Sequence, residues 1–163
     1  MNILFLCTAN SCRSILTEAV FNHMASPNLR AFSAGSYPRG LINPLTLLTL
    51  EKAGISATGL YSKSIEDLSM LTPYVVITVC DKAAAEACPL FLGQAIKAHW
   101  GLPDPSECTG TPAQIEQAFD HVLATIIARV KAFLDLPDSI TQSDRLGVEL
   151  TKIGLIVVTG DST

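Results

Sequence analysis

Apolar residues in this chain alternate between short unbroken runs and stripes of helical period. The opening run Asn2-Ile-Leu-Phe-Leu-Cys7 is apolar without alternation, as in a strand buried on both faces. Thr8 to Ser14 is polar and predicts a loop. Ile15, Leu16, Ala19, Val20, His23 and Met24 then fall on one side of a helix. Leu29 to Phe32 predicts a second strand, ended by Ser33-Ala34-Gly35. Asn43-Pro44 supplies a capping side chain followed by proline at the first helical position, and Gly54 marks where that helix stops. Tyr74 to Val79 is β-branched and predicts a third strand. Ala83 to Ala87 favours helix, closed by Pro89, and Ala95 to Trp100 suits a fourth strand. Thr111-Pro112 opens a long helix whose stripe is Ile115, Phe119, Val122, Leu123, Ile126, Val130, Phe133 and Leu134. Strand–helix alternation of this kind predicts an α/β fold, a parallel sheet with helices on both faces. Pro137 ends the long helix and Pro137 to Gln142 reads as a loop. Ser143-Asp144 can cap a short helix ending at Gly154. Leu155 to Val158 fits an added strand, a docking segment or a disordered tail equally well.

Composition narrows the class. At 163 residues, 48% apolar and 16% charged, the chain suits one ordinary domain and not a disordered one. The net charge of −4 argues against a nucleic-acid or anionic-membrane partner, since both favour a basic face. The longest uncharged apolar stretch, Leu68 to Cys80, contains Pro73 and is too short to span a bilayer. No basic residue precedes the N-terminal apolar run, so no secretory signal is expected. Five cysteines, an odd number, suit reduced thiols in a cytoplasmic protein better than a disulfide framework.

The chemistry-bearing residues cluster at strand ends. Cys7 closes the first strand and Arg13 follows six positions later, at the start of a helix. A loop of this length, Thr8-Ala9-Asn10-Ser11-Cys12, can curl its backbone N–H groups toward one centre, with the helix N-terminus adding its positive end. Arg13 would clamp a tetrahedral oxyanion with two parallel donors. Cys7 beneath that anion should have its pKa lowered to about 4–7 and act as a thiolate nucleophile. Ser14 could donate a hydrogen bond to it, and Asn10 suits left-handed backbone. The alternative is a core cysteine beside a surface arginine, which the strand–loop–helix placement disfavours. Cys12 reads as a packing residue of the loop.

Leu102-Pro103-Asp104-Pro105 holds Asp104 in a stiff loop, where it can serve as a general acid. Cys80 ends the third strand as Cys7 ends the first, so both thiols can share one crevice at the carboxyl edge of the sheet. Cys88 lies eight positions beyond Cys80. Along a helix that is a rise of about 12 Å, against the roughly 7 Å between Cα atoms that a disulfide allows, so pairing requires the segment to uncoil. His23, His99 and His121 are scattered without zinc-ligand spacing.

Together, Cys7-Thr-Ala-Asn-Ser-Cys-Arg-Ser14, Phe32-Ser-Ala-Gly-Ser36, Val79-Cys-Asp, Ala87-Cys-Pro89 and His99-Trp-Gly-Leu-Pro-Asp-Pro105 resemble the arsenate reductases built on the low-molecular-weight tyrosine phosphatase fold. The resemblance covers residues 1–136; residues 137–163 form an extension of unassigned role. It implies a flavodoxin-like sheet of four parallel strands. By motif match it implies Cys7 as nucleophile, residues 8–14 as oxyanion cradle, Arg13 as clamp, Asp104 as general acid, and Cys80 and Cys88 as further redox cysteines. The Cys80–Cys88 spacing is one residue longer than in the best-known branch of the family, which keeps Cys108 as the alternative final thiol. The resemblance further implies a cascade from Cys7–Cys80 to Cys80–Cys88 disulfide, with thioredoxin, or glutathione with glutaredoxin, as electron donor. Some relatives hold a potassium ion near the loop, where Asn10 and Glu18 match; no other cofactor is implied. Phosphate-monoester hydrolysis is the alternative activity, because it begins with the same thiolate attack. The cysteines at positions 80 and 88 favour the reductase, as does the absence of aromatic residues after Asp104. A non-catalytic oxyanion or redox sensor is a third reading.

Overall fold

The computed structural model describes residues 1–86 and 93–159. Four strands, β1 (Asn2–Cys7), β2 (Arg30–Gly35), β3 (Val75–Thr78) and β4 (Ile96–His99), pair in parallel in the order β2-β1-β3-β4. This is the expected α/β, flavodoxin-like arrangement. The strand order reverses between β1 and β3, so the crevice between their carboxyl ends is where a ligand fits such a sheet.

The unbroken apolar run of β1 has its predicted cause. Ile3, Leu4 and Phe5 are all fully buried. Ile3 and Phe5 join Val75 and Ile77 in the main core, while Leu4 and Leu6 join Val76, Ala34 and Ile65 in a smaller cluster on the other face. The main core is covered by α1 (Arg13–Met24) and α4 (Pro112–Leu134), with Phe21 packed edge-on against Phe133 at 5.3 Å between centroids. The predicted stripe of α4 is the face that packs, and a capping box between Thr111 and Gln114 starts the helix. The helix α2 (Pro44–Lys52) begins as expected, with Asn43 Oδ1 accepting from the Leu45 N–H at 2.9 Å.

Several boundaries move. β2 continues through Ser33-Ala34-Gly35, because β1 offers it a partner at every position from Asn2–Arg30 to Cys7–Gly35. The helix α3 (Asp81–Ala85) starts two residues before Ala83, where the Cys80 sulfur accepts from the Ala83 N–H at 3.4 Å, and Glu86 is already extended. The rest of that segment, including the predicted stop at Pro89, lies outside the described residues. The loop expected over Pro137–Gln142 contains a helical turn, α5 (Asp138–Thr141), closed onto the Pro137 and Asp138 carbonyls.

The C-terminal residues dock. The helix α6 (Leu146–Ile153) buries Leu146, Leu150 and Ile153 against β4 and α4, and the Trp100 indole donates to the Leu150 carbonyl at 2.9 Å. The described residues beyond it, 154–159, form no strand. Arg129, only 2% exposed, donates through Nε to the Ile156 carbonyl at 2.9 Å and through Nη1 to the Gly101 carbonyl at 3.1 Å. Among the described residues, no helix is long and apolar enough to cross a membrane.

Candidate active site

The loop between β1 and α1 closes over the end of β1. Its carbonyls are taken from outside: Thr8 O accepts from Tyr37 N at 2.9 Å, Ala9 O from Arg39 N at 3.0 Å, and Ser11 O from Asn43 N and the Thr46 hydroxyl, both at 3.0 Å. Peptide units whose carbonyls point outward turn their N–H groups inward, which makes an anion-binding nest. Asn10 makes this curvature possible, as the only described non-glycine residue at positive φ (45°). Its Nδ2 donates to Ser14 Oγ at 2.8 Å and Ser33 Oγ at 3.0 Å, and its Oδ1 accepts from Lys63 N at 2.8 Å. Gly35 permits the close approach: a Cβ there would lie 2.5 Å from the Thr8 carbonyl oxygen.

Arg13 reaches across the mouth of the loop. Its Nη1 donates to the Leu102 carbonyl at 3.0 Å and its Nη2 to Asp104 Oδ2 at 3.2 Å. Asp104 Oδ1 accepts from both the N–H and the hydroxyl of Ser106, at 3.0 and 2.6 Å. Cys7, Arg13 and Asp104 thus line one cavity of about 30 Å³, as the sequence predicts, together with Cys12, Arg39 and Ser106. Arg39 and Ser106 were not legible in advance. Arg39 arrives on the loop after β2, and only the Ala9 carbonyl that receives its N–H ties it to the cradle.

Cys80 follows β3 and lies beside Thr8, where the loop leaves β1. The Cys7 and Cys80 thiols are close enough to perturb each other's ionisation. Cys80, and then burial, raise the Cys7 thiol, and the Arg13 charge opposes them only in part. Cys7 holds Cys80 down to about 5 against its burial, helped by the Ala83 N–H and by Thr8, whose hydroxyl lies 3.7 Å from the Cys80 sulfur. These shifts run against the expectation of a lowered Cys7 pKa: Cys80 and burial raise the Cys7 thiol, and the lowered thiol is Cys80. Cys12 is pushed up to about 11, chiefly by burial, which suits its reading as a packing residue. Cys108 is half-buried, on the turn after the Asp104 loop. Cys88 lies outside the described residues.

Behind the cradle stands a polar cluster that the sequence reading did not identify as a unit. The Lys63 ammonium, on a residue only 4% exposed, lies 3.2 Å from Glu18 Oε2, 3.1 Å from the Tyr61 carbonyl and 3.5 Å from Ser33 Oγ, and Ser33 donates to Glu18. No group of three or more His, Cys, Asp or Glu among the described residues could hold a metal ion. His99 bridges Thr78 Oγ1 (2.7 Å) and Asp81 Oδ1 (2.9 Å), which ties β4 to the start of α3.

Comparison with known proteins agrees with this geometry. The profile of the family described as low molecular weight phosphotyrosine protein phosphatase matches residues 2–145. An arsenate reductase of Shouchella clausii is 35% identical over 133 residues, which are 82% of this chain and 94% of that protein. One from Bacillus subtilis is 32% identical over the same shares. Among solved structures, an arsenate reductase in the phosphate-binding state superposes with a TM-score of 0.69 at 26% identity, covering 82% of this chain and 95% of that one. A low molecular weight phosphotyrosine phosphatase of Vibrio cholerae, at 16% identity and a TM-score of 0.64, shares the fold. The chain belongs to the low molecular weight phosphotyrosine protein phosphatase family, among its arsenate reductase relatives.

Proposed function

We propose that this chain reduces arsenate to arsenite with two of its own thiols. The observation that carries the reading is the Cys80 thiol beside Cys7, at the ends of the paired strands β1 and β3 and 3.7 Å from the Thr8 hydroxyl, since ester hydrolysis needs one cysteine and a water, whereas a two-electron reduction needs a second sulfur at the first.

An oxyanion in the loop takes the N–H groups and Arg13, and competes with Asp104 for Nη2. The Cys7 proton passes to Cys80 as the Cys7 sulfur attacks arsenic. Asp104, which gives its proton to the departing oxygen, releases it as water. Cys80 passes the proton it took from Cys7 to solvent, and its thiolate then attacks the Cys7 sulfur. The S–As bond breaks, its electron pair stays on arsenic, As(V) becomes As(III), and a Cys7–Cys80 disulfide remains. Hydrogen arsenate, two thiols and two protons give arsenous acid, a disulfide and water. Cys88, or Cys108, attacks Cys80 to free Cys7, and an external dithiol reduces the resulting disulfide. A thioredoxin-type donor is favoured over glutaredoxin with glutathione. A thioredoxin-dependent arsenate reductase of Corynebacterium glutamicum, 25% identical with a TM-score of 0.57, supports this choice. A reducing, cytoplasmic location fits the requirement that the cysteines be returned to thiols.

The test is arsenate turnover with thioredoxin and glutaredoxin systems in parallel, followed by peptide mapping of the oxidised enzyme. The reading requires turnover in one system and a peptide joining positions 7 and 80 in Cys88→Ser/Cys108→Ser enzyme. Cys80→Ser should lose arsenate reduction yet keep slow aryl-phosphate hydrolysis. If Cys80→Ser reduces arsenate at the wild-type rate, the second sulfur has no part in the reaction and the proposal fails.

A further inference from the structure

We propose that Lys63 is a built-in cation that holds the oxyanion loop in shape, occupying the place of the potassium ion that the family resemblance implies beside Asn10 and Glu18. This rests on the reading of the loop as an oxyanion cradle.

The oxygen atoms available to a cation behind the loop are Glu18 Oε2, Ser33 Oγ and the Tyr61 carbonyl. All lie within 3.5 Å of Lys63 Nζ, which also stands 4.7 Å from the centroid of the Tyr61 ring. A potassium ion beside this ammonium would meet a like charge on the same ligands, so the residues present do not fit one. The ammonium instead balances Glu18, which is itself only 8% exposed and has no other cation recorded against it among the described residues.

The cluster acts on the cradle through Asn10. Ser33 gives its proton to Glu18, so its oxygen is left to accept from Asn10 Nδ2. The Lys63 backbone N–H holds the other end of the same amide at 2.8 Å, and the Lys63 carbonyl accepts from Gly35 N at 2.9 Å. Asn10 is thereby locked on both sides in its left-handed conformation, in the middle of the loop that turns N–H groups toward the anion. Lys63 is a positioning residue. It touches no substrate atom, and its effect passes through Glu18, Ser33 and Asn10.

The experiment compares thermal unfolding and calorimetric binding of inorganic phosphate in sodium, potassium and tetramethylammonium chloride at one ionic strength. Wild type should give the same Tm and phosphate Kd in all three; a potassium-specific gain in either would overturn the proposal. Lys63→Met leaves Glu18 buried without its balancing charge. Its Tm should fall by about 10 °C and its phosphate affinity by about tenfold. Potassium should restore both in a saturable way, and tetramethylammonium, too large for the site, should not. Unchanged values in Lys63→Met, or losses that potassium does not reverse, also overturn it. Should Lys63→Met not fold, Glu18→Gln/Lys63→Met removes both charges; it should fold and be indifferent to the cation, and potassium sensitivity there counts against the proposal. If wild type binds no phosphate in any salt, the cradle reading is what fails, and the Tm comparison still judges Lys63.

Discussion

Arg13 Nη2 lies 3.2 Å from Asp104 Oδ2, so the residue suited to clamp an oxyanion is already paired with the residue suited to protonate it. An anion entering the loop must share or take that donor. In the proposed reaction, the same step frees the Asp104 carboxyl to act on the departing oxygen. Binding and acid catalysis therefore draw on one contact, and they should respond oppositely when it is weakened.

Asp104→Asn removes the charge that competes for Arg13 while keeping an oxygen for Ser106. Phosphate should bind more tightly to this variant. The arsenate reduction rate should fall by about 10²–10⁴ with the loss of the acid. Phosphate calorimetry and steady-state kinetics on the same preparation check both signs.

Arg39 lines the cavity from an exposed loop, and among the described residues its side chain makes no hydrogen bond or ion pair. Arg39→Ala should weaken oxyanion affinity by roughly three- to tenfold, equivalent to about 0.7–1.4 kcal/mol, as expected for a partly solvated charge. The thiolate titration of Cys80 should be unchanged. An unaltered KM for arsenate would remove Arg39 from the site.

The lowered Cys80 thiol predicts a titration. Because Cys80 is lowered from 9.0 to about 5, a thiolate should be present at neutral pH and disappear as pH falls through about 5, read as absorbance near the thiolate band. Cys7→Ala removes the donor that Cys7 supplies, so the midpoint should move up toward the ordinary thiol value. A midpoint that stays near 5 in Cys7→Ala would assign the low value to Ala83 and Thr8 instead.

Gly35→Ala tests the close approach of β2 to the loop. The new Cβ would lie 2.5 Å from Thr8 O, a backbone atom that yields only if the cradle shifts. Stability should drop by about 1–3 kcal/mol, and phosphate binding should be lost even where the variant remains folded. Denaturant unfolding and calorimetry separate the two effects.

Arg129 links the docked tail to the strand end that leads into the Asp104 loop, through the Ile156 and Gly101 carbonyls. Arg129→Met fills the space and leaves two half-buried carbonyls without their donor, at a cost of about 1–3 kcal/mol. Chain shortened after residue 145 should lose comparable stability, since it uncovers Trp100 and removes the Leu150 carbonyl that its indole uses. Thermal unfolding of the two variants checks this.

Much of the molecule was legible from local pattern. A run buried on both faces has to be apolar throughout, so β1 was readable; a helix between proline, capping threonine and periodic apolar residues has few alternatives, so α4 was too. The Cys7–Arg13 cradle belongs to the same class, because strand, loop and helix follow one another and their ends meet by geometry alone. Asp104 was visible through the prolines that stiffen its loop. What stayed hidden depends on residues far apart in the chain that fold together. The sequence could bring Cys80 to the same crevice as Cys7, but only the packing of the folded chain shows Cys7 raised and Cys80 lowered. Lys63 and Arg129 look like ordinary surface charges in the sequence, yet each is buried, because its partners come from separate segments, Glu18, Ser33 and Tyr61 for one and Gly101 and Ile156 for the other, whose oxygen atoms converge only in the folded chain. Hydrophobic period and turn chemistry are properties of neighbours along the backbone; electrostatic environment is a property of neighbours in space.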